Sequence, residues 1–251
     1  MAKDEFMIGP SSARLERASF PARHGFSTSA LGSMGLNGSA EPEAVMRRRQ
    51  AFAAAVGFDL GRAALAAQVH GARVRTFRQT EPREGGQSVL DTDALATDLP
   101  GQALLTYHAD CYPLLFVDRA RGAVAVAHLG WRGALAGVAG ETVRAMSSAY
   151  GTDASDLLVL IGPGICRACY EVGPEVFEPM GQRFGRPDAY LEERNGRALL
   201  DLAALAQLEL QDAGVDRGQI LKTGWCTRED DRWFSHRAQR PGRFLAAIAL
   251  P

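Results

Sequence analysis

Two histidines and one cysteine occupy positions from which they could bind a metal ion together. The chain of 251 residues contains only five histidines and four cysteines. His70 ends one predicted apolar strand, Cys111 follows an aspartate between two predicted strand segments, and His128 ends the most apolar strand of the chain. Because open sheets bind ligands just beyond the ends of their strands, where the backbone turns away and leaves a crevice, this placement favours a shared site.

Two imidazoles and one thiolate are a workable ligand set for a catalytic zinc ion. They leave the fourth tetrahedral position open for water or substrate, and zinc lowers the pKa of a bound water toward neutrality. Each residue also has an ordinary structural interpretation, since a buried cysteine usually packs as a small apolar side chain. The spacing alone does not decide between these interpretations, because the three positions are far apart and form no local zinc motif.

The elements that must position these residues follow from hydrophobic periodicity and from glycine and proline signals. The periodicity predicts helices at 41–56, 134–149, 174–184 and 198–213, and strands at 66–70, 103–107, 113–118, 122–128, 156–161, 220–226 and 243–250. This mixture predicts an α+β fold with a mixed β-sheet core flanked by helices.

The composition is that of an ordinary globular protein, and two glycine-rich stretches, 32–39 and 81–86, are short enough to be loops. We therefore expect a single domain over residues 1–251. The net charge of −1 does not indicate the excess of positive charge that is typical of proteins that bind nucleic acid or an anionic membrane. The N-terminus lacks the features of a signal peptide, and the few cysteines suggest reduced thiols, so we expect a cytoplasmic protein. The sequence does not indicate an oligomeric state.

Seven short motifs occur in the order seen in the laccase-domain (YfiH-like) family of purine nucleoside phosphorylases, formerly called multicopper polyphenol oxidases. They are QVHG at 68–71, DTDAL at 91–95, ADCYPLL at 109–115, AHLGWRG at 127–133, IGPGI at 161–165, CYEVG at 169–173 and FSHR at 234–237. The resemblance covers nearly the whole chain and implies the YfiH-like fold of a cysteine hydrolase.

The resemblance implies that His70, Cys111 and His128 bind zinc and carry the catalysis. It also implies activity on purine nucleosides: phosphorolysis of adenosine, inosine, guanosine and methylthioadenosine, and hydrolytic deamination of adenosine. Phosphate and purine nucleosides are then the expected small-molecule partners.

Several further residues are candidates for substrate binding. Arg132 opens a predicted helix, where a guanidinium and free backbone N–H groups suit an anion. Gln68 lies two residues before His70 and is expected on the same strand face. Tyr170 and His236 are candidates because they belong to the motifs.

Asp110 is a further candidate for substrate binding, and both Asp110 and Asp93 could orient a ligand histidine or transfer a proton. For Asp93, the role of a turn or capping residue is favoured. One departure from the family concerns the segment 26–29, where Ser29 stands in place of the usual arginine. If that arginine binds phosphate in relatives, two outcomes are open here: phosphorolysis is impaired while deamination is less affected, or Arg23 or another basic residue replaces the arginine.

The pair Cys166 and Cys169 forms a CxxC motif, which is typical of a redox pair or of half a zinc knuckle. Because the chain has no second CxxC, the structural interpretation is favoured. His108 is expected to be a bystander, because in an extended segment it would point away from Cys111; a bulge would remove this argument.

Three other functions remain open. A copper-dependent oxidase of the multicopper type is disfavoured, since five histidines cannot supply its copper clusters. A metal-free hydrolase would use Cys111 as the nucleophile and His128 as the base. A non-catalytic zinc or nucleotide sensor would bind without turnover.

Overall fold

The computed structural model describes residues 6–8, 20–36, 41–78 and 87–250. Its strands are β1 (Phe6–Ile8), β2 (Arg23–Ser27), β3 (Ala64–Ala67), β4 (Val74–Phe77), β5 (Gln87–Leu90), β6 (Ala94–Thr97), β7 (Ala103–His108), β8 (Tyr112–Asp118), β9 (Ala123–Leu129), β10 (Leu157–Ile161), β11 (Glu171–Val172), β12 (Leu191–Arg194), β13 (Arg197–Leu200), β14 (Ile220–Lys222) and β15 (Phe244–Ala249). Its helices are α1 (Pro42–Val56), α2 (Trp131–Ala136), α3 (Val138–Tyr150), α4 (Pro174–Phe184) and α5 (Leu202–Asp212).

Two six-stranded sheets carry most of the structure. The first has the strand order β1-β2-β15-β7-β3-β5, and the second has the order β14-β10-β8-β9-β6-β4. A small third sheet contains β11, β13 and β12. Both large sheets mix parallel and antiparallel pairs, and the last strand, β15, lies between β2 and β7.

The two large sheets face each other, and helices cover their outer faces. In β9, Val124 and Val126 belong to the apolar layer shared with the first sheet, whereas Ala125 and Ala127 pack toward the helices. This alternation follows from the two-residue period of a strand. On the outer face of the first sheet, Phe52 of α1 packs against the strands. The order of layers is therefore helix, sheet, sheet, helix.

Three connections carry the chain from the first sheet to the second, and all three lie at one end of the sandwich. They join β3 to β4, β5 to β6 and β7 to β8, and the three donor strands run parallel to each other. Each connection contains a non-glycine residue with a left-handed backbone: His70 (φ 61°), Asp91 (φ 51°) and Asp110 (φ 85°). Such residues are uncommon and are concentrated at functional sites. β9 runs antiparallel to β8, so His128 reaches the same end.

The predicted α+β class with helices flanking mixed β-structure is confirmed, and the β-structure forms two facing sheets. Helix α4 has the predicted bounds, and α1 begins one residue later than predicted, at Pro42. No helix among the described residues is long and apolar enough to cross a membrane. The glycine-rich stretch 81–86 and residues 37–39 of the other stretch lie outside the described residues.

Four predicted elements differ from the structure by more than one residue at an end. The helix predicted at 134–149 is two helices, α2 and α3, because Gly137 adopts a left-handed backbone (φ 85°) between them. The helix predicted from 198 begins at Leu202, where the Asp201 carboxylate accepts a hydrogen bond from the Ala204 N–H; residues 197–200 form β13 instead. The strand predicted at 66–70 ends at Ala67, which leaves His70 in a turn, and the strand predicted at 220–226 ends at Lys222.

Candidate metal centre

The structure brings His70, Cys111 and His128 together at the end of the sandwich where the connections cross. One ligand atom from each residue lies within 4.8 Å of the other two. His70 is exposed, Cys111 is half-buried and His128 is buried, so the cluster has a solvent-facing side and a protein-facing side. Three donors with one open side suit a metal ion that also binds water or substrate.

Asp93 holds two of these residues in place. Its carboxylate accepts hydrogen bonds from the backbone N–H groups of Val69 (3.1 Å), His70 (2.9 Å) and Gly71 (2.8 Å) and from Nδ1 of His128 (2.9 Å). Burial raises the pKa of Asp93, but the hydrogen bonds from His128 and the backbone outweigh burial and lower it below its usual value. Both interpretations of Asp93 apply, because it orders a turn and also orients a histidine.

The hydrogen bond to Asp93 fixes the role of each ring nitrogen of His128. An ionised carboxylate only accepts, so Nδ1 carries the proton and Nε2 is left to face Cys111 or a metal ion. Burial raises the pKa of the Cys111 thiol, but the charge and hydrogen bond of His128, together with His70, outweigh it and lower the pKa to about 6. Burial lowers the pKa of His128, whereas Cys111 and Asp93 raise it to about 9. The metal-free pair is therefore a thiolate and an imidazolium at neutral pH.

Gly130 allows the cluster to close. A Cβ atom at this position would lie 2.8 Å from Sγ of Cys111 and 3.2 Å from Cδ2 of His70. Gly130 follows the last residue of β9 and is the N-cap of α2. Its missing side chain, the thiolate and the oriented imidazole together fit a bound metal ion.

His108 is a neighbour of this cluster and not one of its donors. The chain turns at Asp110, so the His108 ring points toward His128, with ring centroids 5.4 Å apart. The expected geometry was therefore wrong. Both ring nitrogens are occupied, by Thr106 Oγ1 at 2.8 Å and by the Cys111 carbonyl oxygen at 3.1 Å. Burial, followed by the charge on His128, holds the pKa of His108 well below its usual value, so the ring stays neutral.

Asp110 lies in the turn that carries Cys111 and binds this turn to the C-terminal segment. Its carboxylate accepts hydrogen bonds from the hydroxyls of Thr227 and Ser235, both at 2.7 Å, and from the Arg237 N–H at 2.8 Å. Its carbonyl oxygen accepts from the Ile165 N–H at 2.9 Å. Asp110 therefore orders the Cys111 turn through the backbone and side chains of distant segments.

Tyr170 lies within electrostatic reach of Cys111 and of two arginines. Burial, followed by the charge on Cys111, raises the pKa of the Tyr170 phenol to about 12, while Arg237 and Arg132 act in the opposite direction. The Arg237 guanidinium lies 5.2 Å from the centre of the Tyr170 ring. Arg132 is exposed in the first turn of α2, and its guanidinium lies 4.1 Å from the centre of the Trp131 ring.

Gln68 and His236 differ in their surroundings, because Gln68 is bound to backbone and His236 is exposed. The Gln68 amide both donates to the Tyr107 carbonyl oxygen and accepts from the Tyr107 N–H, at 2.8 Å each, so it bridges the connection to β7. Because β3 ends at Ala67, the argument that placed Gln68 and His70 on one strand face does not apply. His236 is exposed on the C-terminal segment.

Ser29 contacts the C-terminal segment, where its N–H donates to the Arg232 carbonyl oxygen and its hydroxyl donates to the Asp231 carbonyl oxygen, both at 2.8 Å. Arg23 lies at the far end of β2 and donates to the Gly57 carbonyl oxygen at 2.7 Å, where it closes the C-terminus of α1. This placement disfavours Arg23 as a replacement for the family's arginine.

Two features were missed by the sequence analysis. Arg237 lies beside the selected His236 and makes the contacts to Asp110 and Tyr170; the FSHR motif contained it. The second feature is the approach of Cys226 and Glu229 to Cys166 and Cys169. Its signal was a CxxE spacing equal to the CxxC spacing, which a search for cysteine pairs does not detect.

The protein is an α+β protein in which a Cys/His cluster that could hold a metal ion lies at the solvent-facing end of a two-sheet sandwich. The family model for the multi-copper polyphenol oxidoreductase laccase matches residues 17–251, and the chain belongs to this family. The resemblance found in the sequence is thereby confirmed.

Named relatives agree with this assignment. A purine nucleoside phosphorylase of Deinococcus radiodurans is 35% identical, with 98% of this chain and 96% of the relative covered. The adenosine deaminase RL5 of an unknown prokaryotic organism is 34% identical, with 77% of this chain and 76% of the relative covered. The crystal structure of YlmD from Geobacillus stearothermophilus superimposes with a TM-score of 0.86 at 31% identity, covering 92% of each chain. The protein is an enzyme of this family.

Proposed function

We propose that the protein is a zinc-dependent purine nucleoside enzyme. Its proposed reactions are the phosphorolysis of adenosine, inosine, guanosine and methylthioadenosine, and the deamination of adenosine. The observation that carries the proposal is the convergence of His70, Cys111 and His128, whose ligand atoms lie within 4.8 Å of one another. The names of the Deinococcus relative and of RL5 supply the substrate class.

His70, Cys111 and His128 would hold the zinc ion, which when bound supplies a Lewis acid and an acidified water. A thiolate and neutral imidazole nitrogens are the ligand forms that zinc requires. The lowered pKa of Cys111 favours the thiolate before any metal binds. Asp93 would keep the His128 ring in the orientation that directs Nε2 to the metal. Five histidines in the whole chain support a single zinc over the clusters of a multicopper oxidase.

The residues around Cys111 suit a nucleoside and a phosphate ion. Arg132 and Arg237 are the proposed phosphate ligands, because a guanidinium can donate two parallel hydrogen bonds to an oxyanion. The Tyr170 phenol, whose pKa is raised to about 12, is protonated at neutral pH and can donate a hydrogen bond to substrate. His236, on the same C-terminal segment, is a further proposed substrate contact.

Gln68 and Asp110 are proposed to act on substrate binding through the backbone. Their side chains already bind the Tyr107 backbone and the C-terminal segment, respectively. Each orders a connection that carries a proposed ligand, and we therefore treat both as positioning residues.

A second candidate is a metal-free cysteine hydrolase. Cys111 would be the nucleophile, His128 the base beside it, and Asp93 the carboxylate that orients His128, which is the arrangement of a Cys–His–Asp triad. This function uses the same residues but predicts full activity after complete removal of metal. We also propose the cytoplasm as the site of action, since a reduced thiolate serves both functions.

The test is an assay of the purified protein with adenosine, with and without inorganic phosphate, in which all products are identified. Phosphorolysis converts adenosine and phosphate into adenine and ribose 1-phosphate; deamination converts adenosine and water into inosine and ammonia. We expect both adenine and inosine. Inosine without adenine would indicate that Ser29 has removed phosphorolysis. Turnover of neither kind would contradict the proposal and support a sensor.

A further inference from the structure

A second cluster of metal-binding side chains lies outside the candidate metal centre. One ligand atom from each of its four members lies within 4.8 Å of the other three. We call it the thiol cluster; its members are Cys166, Cys169, Cys226 and Glu229.

The contacts within the thiol cluster converge on one point. Sγ of Cys169 lies 3.3 Å from Oε1 of Glu229, and Sγ of Cys166 lies 3.7 Å from the same oxygen. The Cys166 N–H points at Sγ of Cys226, 3.3 Å away. In a tetrahedral zinc site with a Zn–S bond near 2.3 Å and a Zn–O bond near 2.1 Å, a sulfur and a carboxylate oxygen are about 3.6 Å apart. The separations of 3.3 and 3.7 Å between the two cysteine sulfurs and the Glu229 oxygen are close to this value.

The backbone holds the two halves of the cluster together. Gly164 and Cys226 form a parallel bridge, and the Thr227 N–H donates to the Gly164 carbonyl oxygen at 3.0 Å. A turn closed by the Asp230 N–H and the Cys226 carbonyl oxygen, at 3.1 Å, brings Glu229 back over Cys226. A CxxC segment facing a CxxE segment across paired backbones is the geometry of a zinc knuckle with a carboxylate as its fourth ligand.

We propose that the thiol cluster is a second metal site, which binds a zinc ion with four protein ligands. Four protein ligands close the coordination sphere, so the ion has a structural role. Cys169 and Cys226 are 8% and 7% exposed and pack against Ile165, so most of the site is shielded from water, and Glu229 forms its solvent-facing side.

The second site would stabilise the surroundings of the first. Ile165, which directly precedes Cys166, donates its N–H to the Asp110 carbonyl oxygen, and its own carbonyl oxygen accepts a hydrogen bond from the Tyr112 hydroxyl, both at 2.9 Å. The segment that carries Cys166 therefore contacts the residues on both sides of Cys111. Thr227, which follows Cys226, binds the Asp110 carboxylate. A metal in the thiol cluster would therefore tie three segments around Cys111 without touching substrate.

The experiment measures zinc per chain by mass spectrometry in protein purified under reducing conditions without chelator. We expect about two zinc ions in the native protein, one in Cys111→Ala, one in Cys169→Ser and none in the double variant. Zinc that is retained in Cys111→Ala supports the second site whatever the first site does, so failure of the proposed function is distinguishable. Complete loss of zinc in Cys111→Ala would overturn the proposal.

Two further measurements test the proposal even if the Cys169→Ser variant does not fold. Cobalt bound to Cys111→Ala, in which the thiol cluster is intact, should give an intense near-ultraviolet thiolate-to-cobalt absorption; its absence would overturn the proposal. The Glu229→Gln variant, which replaces an exposed side chain, should release the zinc ion of the thiol cluster to a chelator at least tenfold faster than the native protein does. The control variant Glu178→Gln, on α4, should release this ion at the native rate. If the intact protein in reducing buffer had a mass two hydrogens below that of the fully reduced chain, the cluster would contain a disulfide, and this result would overturn the proposed metal site.

Discussion

The Asp93 carboxylate accepts a hydrogen bond from Nδ1 of His128 at 2.9 Å and three further hydrogen bonds from backbone N–H groups of the turn that carries His70. One side chain thus couples the orientation of one proposed ligand to the backbone position of another. The arrangement explains why His70 adopts a left-handed backbone, because this turn directs three successive N–H groups at one carboxylate.

Asp93→Asn should weaken zinc binding by about 10–100-fold, the usual effect of removing a carboxylate that orients a ligand histidine. Asparagine keeps the size of the side chain but removes its charge and one acceptor oxygen. Competition with a zinc chelator measures the change, and Asp216→Asn at an exposed position is the control. Equal affinities in all three proteins would show that Asp93 has only a turn-forming role.

Gly130→Ala should prevent the cluster from closing, because its new Cβ would lie 2.8 Å from Sγ of Cys111. We expect loss of one of the two zinc ions and of adenosine turnover, with an unchanged circular dichroism spectrum. Gly181→Ala in α4 is the matched control, since nothing lies within 4 Å of its new methyl group and alanine favours a helix by about 1 kcal/mol. A fully active Gly130→Ala would place the active site elsewhere.

In metal-free protein, alkylation of Cys111 by iodoacetamide should rise with pH around a midpoint near 6, because the thiolate is the nucleophile. The pKa of Cys111 is lowered and that of His128 is raised to about 9. The ion pair is therefore lost as the pH falls through about 6 and as it rises through about 9, and its contribution to stability is confined to this window.

Cys166 is an internal control for this alkylation, because it is also half-buried and burial raises the pKa of its thiol. Peptide mass mapping of one sample should show Cys111 modified first at pH 7. Equal rates for the two cysteines would mean that His128 does not activate Cys111.

Arg237→Ala and Arg132→Ala should each raise the KM for phosphate by roughly 10- to 100-fold, the range expected for a hydrogen bond to a charged group. Deamination of adenosine without phosphate should change much less. Arg217→Ala, at an exposed site away from these residues, should leave both reactions unchanged. A variant that lost both reactions equally would identify a role in folding or in nucleoside binding.

The sequence predicted the three proposed ligands because each lies beside a buried strand and inside a specific motif. It did not predict that the β-structure divides into two sheets, since periodicity shows which face of a strand is buried but not which strand it pairs with. The strand end at Ala67 was missed for a related reason: the turn at 68–71 is ordered by Asp93, twenty-two or more positions away in the chain.

The remaining errors have local causes. Gly137 breaks a helix that periodicity alone extends through it, and Asp201 caps a helix whose periodic leucines begin within a strand. His108 pointed toward the site because Asp110 turns the chain with a positive φ, which an assumption of extended backbone excludes. The thiol cluster required tertiary structure, since its halves are about sixty residues apart in sequence.

We propose that turnover of purine nucleosides requires a zinc ion bound by His70, Cys111 and His128. The most direct measurement is adenosine turnover by metal-depleted protein during titration with zinc, in the native chain and in Cys111→Ala. We predict that activity returns with zinc in the native chain and stays absent in Cys111→Ala, which binds one ion fewer. Full activity in the metal-depleted native protein would contradict the claim and establish the cysteine hydrolase instead.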